Sequence, residues 1–295
     1  MLALALVALL AAPDLDTTVA VQRGQRLELS AQTGEIVVRT WARNAVRVQA
    51  TGGNLARLGI DQSPATLTIH GATARGGPAH ADFELTVPAW MSLRLSGVNT
   101  TMRVTGTEGA VTVETVSGDI TVTGGSGFVS LRSVEGTVTL VGAKGKLDVN
   151  SVNSDVSVRD VAGDLQAETV NGEIRLERVQ SDNVDANTVN GDVVYDGSIR
   201  PSGRYRFVTH NGDVAVTIAE GTSALVSVST FQGDFESAFP VTLSERHGKS
   251  FDFTLGGGSA RVELESFGGT IRLVRPGAMR QPHRKDADGD AERHD

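Results

Sequence analysis

Along most of the chain, apolar and polar residues alternate in short stretches such as I-x-V and L-x-V, broken every few positions by glycine, asparagine or aspartate. A period of two with β-branched residues on one face predicts half-buried strands, and the breaks predict turns. Stretches with the spacing of an amphipathic helix are almost absent.

The strands repeat. With the valine of V-x-G taken as position zero, the same frame falls at Val98, Val116, Val134, Val152 and Val170, each 18 residues after the last. It continues with looser spacing at Val189, His210 and Phe231, and Phe267 lies 36 residues, or two periods, beyond Phe231. One unmarked coil is expected between those two phenylalanines, with Phe253 and Leu255 in its apolar places. Within a unit, apolar residues recur at offsets 0, 4, 6, 9, 13 and 15, as in Val152, Val156, Val158, Val161, Leu165 and Ala167.

Each unit is thus two strand-and-turn halves. The pattern predicts an all-β fold, a β-solenoid of the parallel β-helix or β-roll type with 18 residues per coil and like residues stacked about 4.8 Å apart. A lone coil cannot bury its apolar face, so the copying serves the stacking. On this frame Val116, Val134, Val152 and Val170 form one inward column. Asn-Gly is also a hairpin signal, which makes a stack of hairpins the rival fold; the strict phase favours the solenoid.

The corner carries the most regular chemistry. Gly118, Gly136, Gly172, Gly191, Gly212, Gly233 and Gly269 share offset +2, where a positive φ would suit glycine. Asn153, Asn171, Asn190 and Asn211 precede it and can bond to local backbone or stack as an amide ladder. Offset +3 holds Asp119, Asp155, Glu173, Asp192, Asp213 and Asp234, interrupted by Thr137. Carboxylates stacked this closely repel unless water, salt or a divalent cation screens them. A solvated turn is the simpler reading, and no cofactor is expected. If a cation binds, calcium is the ion, and Asp192, Asp213 and Asp234 are its candidate ligands. The run DADGD from Asp286 to Asp290 opens like an EF-hand loop, but the chain ends before the glutamate such a loop needs.

The ends depart from the repeat. Residues 1–16 read as a signal peptide or apolar leader, since MLALALVALLAA is too short to span a bilayer, although no basic residue precedes it. Residues 17–92 form an N-terminal β region, whose stretch from Leu27 fits the frame with Leu29, Ile36, Val38 and Trp41, while residues 49–92 abandon it for longer strands and the loop GATARGGPAHA. The solenoid proper covers 93–275, and 276–295 is a polar tail expected to be disordered. Both tyrosines, 195 and 205, and phenylalanines 231, 235, 239, 251, 253 and 267 fall late in the chain, which predicts an aromatic cap over the open end of the stack. Gly256 to Gly258 read as a hairpin turn between FDFTL and ARVEL.

Charge and composition narrow the function. A net charge of −8 over 295 residues, with no basic stripe, argues against nucleic acid as a partner. The absence of cysteine excludes disulfides, thiolate metal sites and a lipidated cysteine anchor. No G-x-S-x-G, G-x-x-x-x-G-K-[ST] or H-E-x-x-H occurs, the six histidines have no metal-ligand spacing, and His210, standing where the column has valine, reads as a structural residue. Threonine rows such as Thr121/Thr123 and Thr137/Thr139, which would suit ice or a mineral, give way to Arg175 and Glu177 two coils on.

The stretches GEIVVRTWARNAVRVQA (34–50) and FELTVPAWMSLRLSGVNTTMRVTG (83–106), followed by reiterated V-[NS]-G-[DE]-[IV], resemble the bacterial putative-adhesin domain family of repeat-built envelope proteins over residues 17–275. The resemblance implies architecture rather than activity and transfers no catalytic residue. The expectation is a non-enzymatic, exported adhesin-like structural or interaction module, in the periplasm, at the cell surface or secreted. Its mature chain has no transmembrane span, and its partner is an envelope or surface protein or a glycan. The alternative is a carbohydrate-active enzyme, a polysaccharide lyase or hydrolase, on the same scaffold.

Overall fold

The computed structural model describes residues 14–52, 58–70, 80–241, 243–247 and 250–277. The expected leader at 1–16 and the polar tail at 276–295, with its DADGD run, fall almost wholly outside the described residues, as do most of GATARGGPAHA and its flanks.

The fold is a β-solenoid. Among the described residues there are 25 strands and no helix. Each coil contributes one strand before the V-x-G corner and one after it, so the stack has two parallel sheets facing each other across the apolar interior. Pairing advances by one repeat at a time: Val111 lies beside Val129, Leu131 beside Val149, Val138 beside Val156, and Val156 beside Ile174. The looser spacing further on is absorbed outside the strands, since Val184 still pairs with Tyr205 and Val193 with Val214.

Side-chain alternation sets what is inside. In the Val152 unit, Val156, Val158, Val161, Leu165 and Ala167 are buried, whereas Val152 itself is 36% exposed. The inward column expected from the frame is therefore reversed at one position. Val116, Val134, Val152 and Val170 do stack in one column, but that column faces solvent. The reason is the period of two. Strand positions −5 and −3 point inward, so position −1 must follow them, and position 0 must point out.

The N-terminal coil is built from distant parts of the chain. Arg26–Trp41 stacks directly on Ser92–Thr107, pairing Leu27 with Leu93 and Ile36 with Met102. The intervening chain closes this end with edge strands. Thr66–His70 and Ala81–Pro88 pair in parallel with Arg26–Trp41. Ala45–Gly52 and Leu15–Ala20 then add antiparallel strands.

The other end breaks chain order. Ala260–Ser266 is inserted between Arg204–Asn211 and Ala224–Thr230, parallel to both. Ile271–Val274 does the same between Val214–Thr217 and Phe235–Ser237. The expected extra coil between Phe231 and Phe267 is thus not a coil. Leu243–His247 and Ser250–Leu255 form an antiparallel hairpin that pairs with Ala224–Thr230. FDFTL and ARVEL do not pair with each other across the glycine turn; they flank Ala224–Thr230 on its two sides. The two run antiparallel, as hairpin mates would, but Ala224–Thr230 lies between them and takes the ladder of each, so the turn passes over that strand.

Of the late aromatics, Tyr195, Tyr205, Phe207 and Phe253 are buried, Phe235, Phe239 and Phe251 pack partly against the core, and Phe231 and Phe267 are exposed. Tyrosine is tolerated inside because its hydroxyl is satisfied: Tyr205 donates to the Ser181 carbonyl at 2.7 Å and accepts from the Arg200 N–H at 2.7 Å. Tyr195 donates to the Ser198 carbonyl at 3.0 Å, and burial pushes its hydroxyl well above the usual tyrosine range.

Candidate functional site

The corner where the chain turns from the first sheet to the second gathers four stacked rows, and each has a separate physical cause. The innermost row is a column of hydroxyls that position-zero counting overlooked. Thr115, Ser133, Ser151, Thr169, Thr188, Thr209 and Ser266 occupy offset −1 and are all buried. Each donates to the carbonyl at the glycine position of the coil below, as Ser151 does to Gly136 at 3.1 Å, Thr188 to Gly172 at 3.1 Å and Thr209 to Gly191 at 2.8 Å. A sharp corner leaves carbonyls without ladder partners, and a short β-branched or small hydroxyl residue reaches them from inside. Extending the strand alternation by one residue would have revealed this column. Replacing Thr188 with valine keeps shape and removes the donor, and is expected to cost about 1 to 3 kcal/mol, measured as a shift in the urea midpoint.

Next outward is the apolar stripe. In spatial order it runs Val98, Val116, Val134, Val152, Val170, Val189, His210, Phe267 and Phe231, with exposures from 36% at Val152 to 56% at Phe231 among its hydrophobic members. The chain-order break at the C-terminal end produces the last two steps. His210 and Phe267 stack with centroids 4.6 Å apart, and Phe267 and Phe231 at 4.8 Å. The neighbouring coil below Val98 carries Gln32, which ends the stripe. An open groove of about 640 Å³ runs beside its middle, between Val116, Val134 and Val152 on one wall and Glu114, Arg132 and Glu168 on the other.

Beyond the stripe lies the amide ladder. Asn171 donates to Asn153, Asn190 to Asn171, and Asn211 to Asn190, each through Nδ2 to Oδ1 at 2.8 Å. Of the two roles open to these residues, the structure has the stacked one.

The acidic row is the outermost, and its carboxylates hold backbone. Asp155 Oδ1 accepts from the Glu173 N–H, Asp192 Oδ1 from the Asp213 N–H, and Asp213 Oδ1 from the Thr270 N–H, all at 2.8 Å. Asp213 Oδ2 also receives Arg272 at 2.6 Å, and Arg272 reaches Glu236 at 3.1 Å. The three candidate cation ligands are not brought together. Asp192 and Asp213 occupy adjacent coils, but the inserted Thr270 separates Asp213 from Asp234. Among the described residues no group of three or more His, Asp or Glu is arranged to hold a metal ion.

Glu173 also belongs to this row. Burial pushes its carboxyl above the ordinary glutamate range; Arg175 opposes this, and the Asp192 and Asp155 charges add to it. A raised folded-state value stabilises the fold below the ordinary carboxylate range, and that contribution is lost as pH rises through the raised value. Glu173→Gln is therefore expected to raise Tm at pH 7 relative to wild type, with the difference closing as the pH falls through the carboxylate range.

Close contact requires glycine throughout this corner, and at Gly118, Gly136 and Gly191 the expected positive φ, 131°, 154° and 156°, requires it as well. Gly172 and Gly212 have no positive φ, but a Cβ at Gly172 would lie 2.4 Å from the Ser154 carbonyl oxygen, and one at Gly212 would lie 2.0 Å from that of Gly191. A second column of positive φ lies at the opposite corner, where Gly106, Gly124, Gly142, Asp160 and Arg178 have φ of 83°, 99°, 72°, 56° and 52°. There, Arg178 grips Asp160 with two nitrogens, at 2.5 and 2.7 Å, and holds its carboxyl below the usual aspartate range.

Comparison with known proteins places this arrangement. A family model described as Toastrack DUF4097 matches residues 24–273. Three solved structures are similar at low identity. One is a putative cell adhesion protein from Clostridium sporogenes, 9% identical, covering 88% of this chain and 98% of that one, with a TM-score of 0.24. A putative adhesin from Parabacteroides distasonis is 10% identical over 88% of this chain and 96% of its own, with a TM-score of 0.40. A putative lipid binding protein from the same organism is 11% identical over 90% and 97%, with a TM-score of 0.39. No curated protein matches the sequence. Among the described residues no helix is long and apolar enough to cross a membrane.

Proposed function

The chain belongs to the Toastrack DUF4097 family, and we propose that it is a non-enzymatic, exported interaction module that presents a repeat-built β surface to another component of the cell envelope or surface. The observation that carries this reading is the apolar stripe. Burial of the core does not need position zero to be apolar, because offsets 4, 6, 9, 13 and 15 already fill the interior. A contiguous exposed apolar row of this length is uncommon on a monomer and marks a contact surface. The polar groups around it support the same reading. The hydroxyl column, the amide ladder and the corner carboxylates are each engaged in joining one coil to the next. These engagements support a scaffolding role for the acidic row, and no cofactor is proposed.

The test combines location with contact. The native protein is fractionated, and a photo-crosslinking residue is placed at Val152 on the stripe or at Thr139 on the outer face of the second sheet. Recovery outside the cytoplasm, with crosslinks from position 152 and not from 139, is the expected result. Cytoplasmic recovery overturns export. Turnover of an acidic polysaccharide by the purified protein, abolished by a substitution that leaves the melt unchanged, overturns the non-enzymatic assignment.

A further inference from the structure

We propose that the apolar stripe docks a second copy of this chain, stripe against stripe and antiparallel, about a twofold axis passing between the Val170 and Val189 coils. This rests on the reading of the stripe as a contact surface and names what it contacts.

The first reason is period. The stripe offers one apolar side chain per coil, a step of about 4.8 Å. An extended peptide lying along it presents side chains on one face every 6.6 Å or so, and a helix turns every ~5.4 Å, so both drift out of phase. Another solenoid edge has the same step, so its side chains can meet these at every coil without drifting out of phase.

The second reason is charge. A twofold axis in the interface plane and perpendicular to the stripe sets each flanking row against its own copy, reversed. With the axis between Val170 and Val189, Val134 meets Phe267 and Val116 meets Phe231. On one flank Arg132 meets Glu265, Glu168 meets Asn187, and Glu114 meets Ser229. On the other flank Asn171 meets Asn190 and Asn153 meets Asn211, so the uncharged ladder faces itself. No acid faces an acid in these two flanking rows. A register centred one half-step away, on Val170, would set Glu168 against itself and Glu114 against Glu265.

The third reason is area. Eight coils in contact span roughly 38 Å at the strand spacing, and with the two flanking rows the face covers roughly 600 to 800 Å² per copy, close to that of a standard specific interface.

Analytical ultracentrifugation of the full chain across a concentration series tests this. A reversible dimer is expected. Val152→Thr, Val170→Thr and Val189→Thr together keep β-branching and the fold, checked by an unchanged thermal melt, and are expected to weaken the dimer at least about tenfold. Arg132→Glu alone should weaken it, and adding Glu265→Arg should restore it. A monomer at every concentration, or a dimer that the triple variant leaves intact, overturns the proposal. In the former case, crosslinks from Val152 to another molecule that the triple variant abolishes would leave the interaction reading standing; no effect of the triple variant on either measurement would remove both.

Discussion

Gly212→Ala is expected to destabilise the solenoid by about 3 kcal/mol or more, while Gly142→Ala is expected to cost only about 1 kcal/mol. The two glycines separate space from conformation. Gly212 has no positive φ, so alanine suits its backbone, but the added Cβ would lie 2.0 Å from the Gly191 carbonyl oxygen and 2.5 Å from its carbon. Both are main-chain atoms, and the Gly191 oxygen is already held by the Thr209 hydroxyl at 2.8 Å. Relief requires prising two coils apart. Gly142 has a φ of 72°, and a methyl group there would meet nothing within 4 Å, so only left-handed strain is added; Asp160 and Arg178 adopt similar backbone one and two coils on. Urea titration of the three proteins measures the difference. Equal costs would mean that corner conformation, rather than coil-to-coil contact, selects glycine at Gly212.

Removing residues 257–277 is expected to undo the whole C-terminal end rather than a single coil. In a stack that followed chain order, losing the last coil would bare only the one before it. Here Ala260–Ser266 is the bridge between Arg204–Asn211 and Ala224–Thr230, and among the described residues no pairing joins those two strands directly. Ile271–Val274 bridges the second sheet in the same way. Deletion strands Ala224–Thr230 with its hairpin, and exposes the faces that covered Tyr205 and Phe207. Amide exchange should show protection lost throughout Ala224–Thr230 and Ser250–Leu255 and reduced in Arg204–Asn211, with Val156–Arg159 unchanged. Protection retained in Ala224–Thr230 would contradict the inserted order.

Both predictions depend on features that differed in legibility. The 18-residue phase was enough to establish coils, their two-strand make-up and their parallel register, because each coil meets a near copy of itself and every like residue must stack on its like. The asparagine ladder and the acidic row were legible for the same reason. The direction in which position zero faces was not recovered. A count of apolar residues treats Val152 and Val156 alike, and the decisive neighbour, the hydroxyl at position −1, looks like an ordinary polar strand residue until its carbonyl partner is known.

What the chain by itself determined was the repeat and hence the solenoid, since local alternation and like-on-like stacking act between neighbours in sequence or one period apart. What only the tertiary structure decided was the order of the final coils and the meaning of the edge. Ala260–Ser266 matches the strand frame equally well on top of the stack or inside it. Its place between Arg204–Asn211 and Ala224–Thr230 follows from which arrangement closes the end with the Leu243–His247 and Ser250–Leu255 hairpin. That choice puts Phe267 between His210 and Phe231, turning scattered residues into the end of one continuous apolar row. Such a row is a property of long-range packing, and a sequence period carries no information about it.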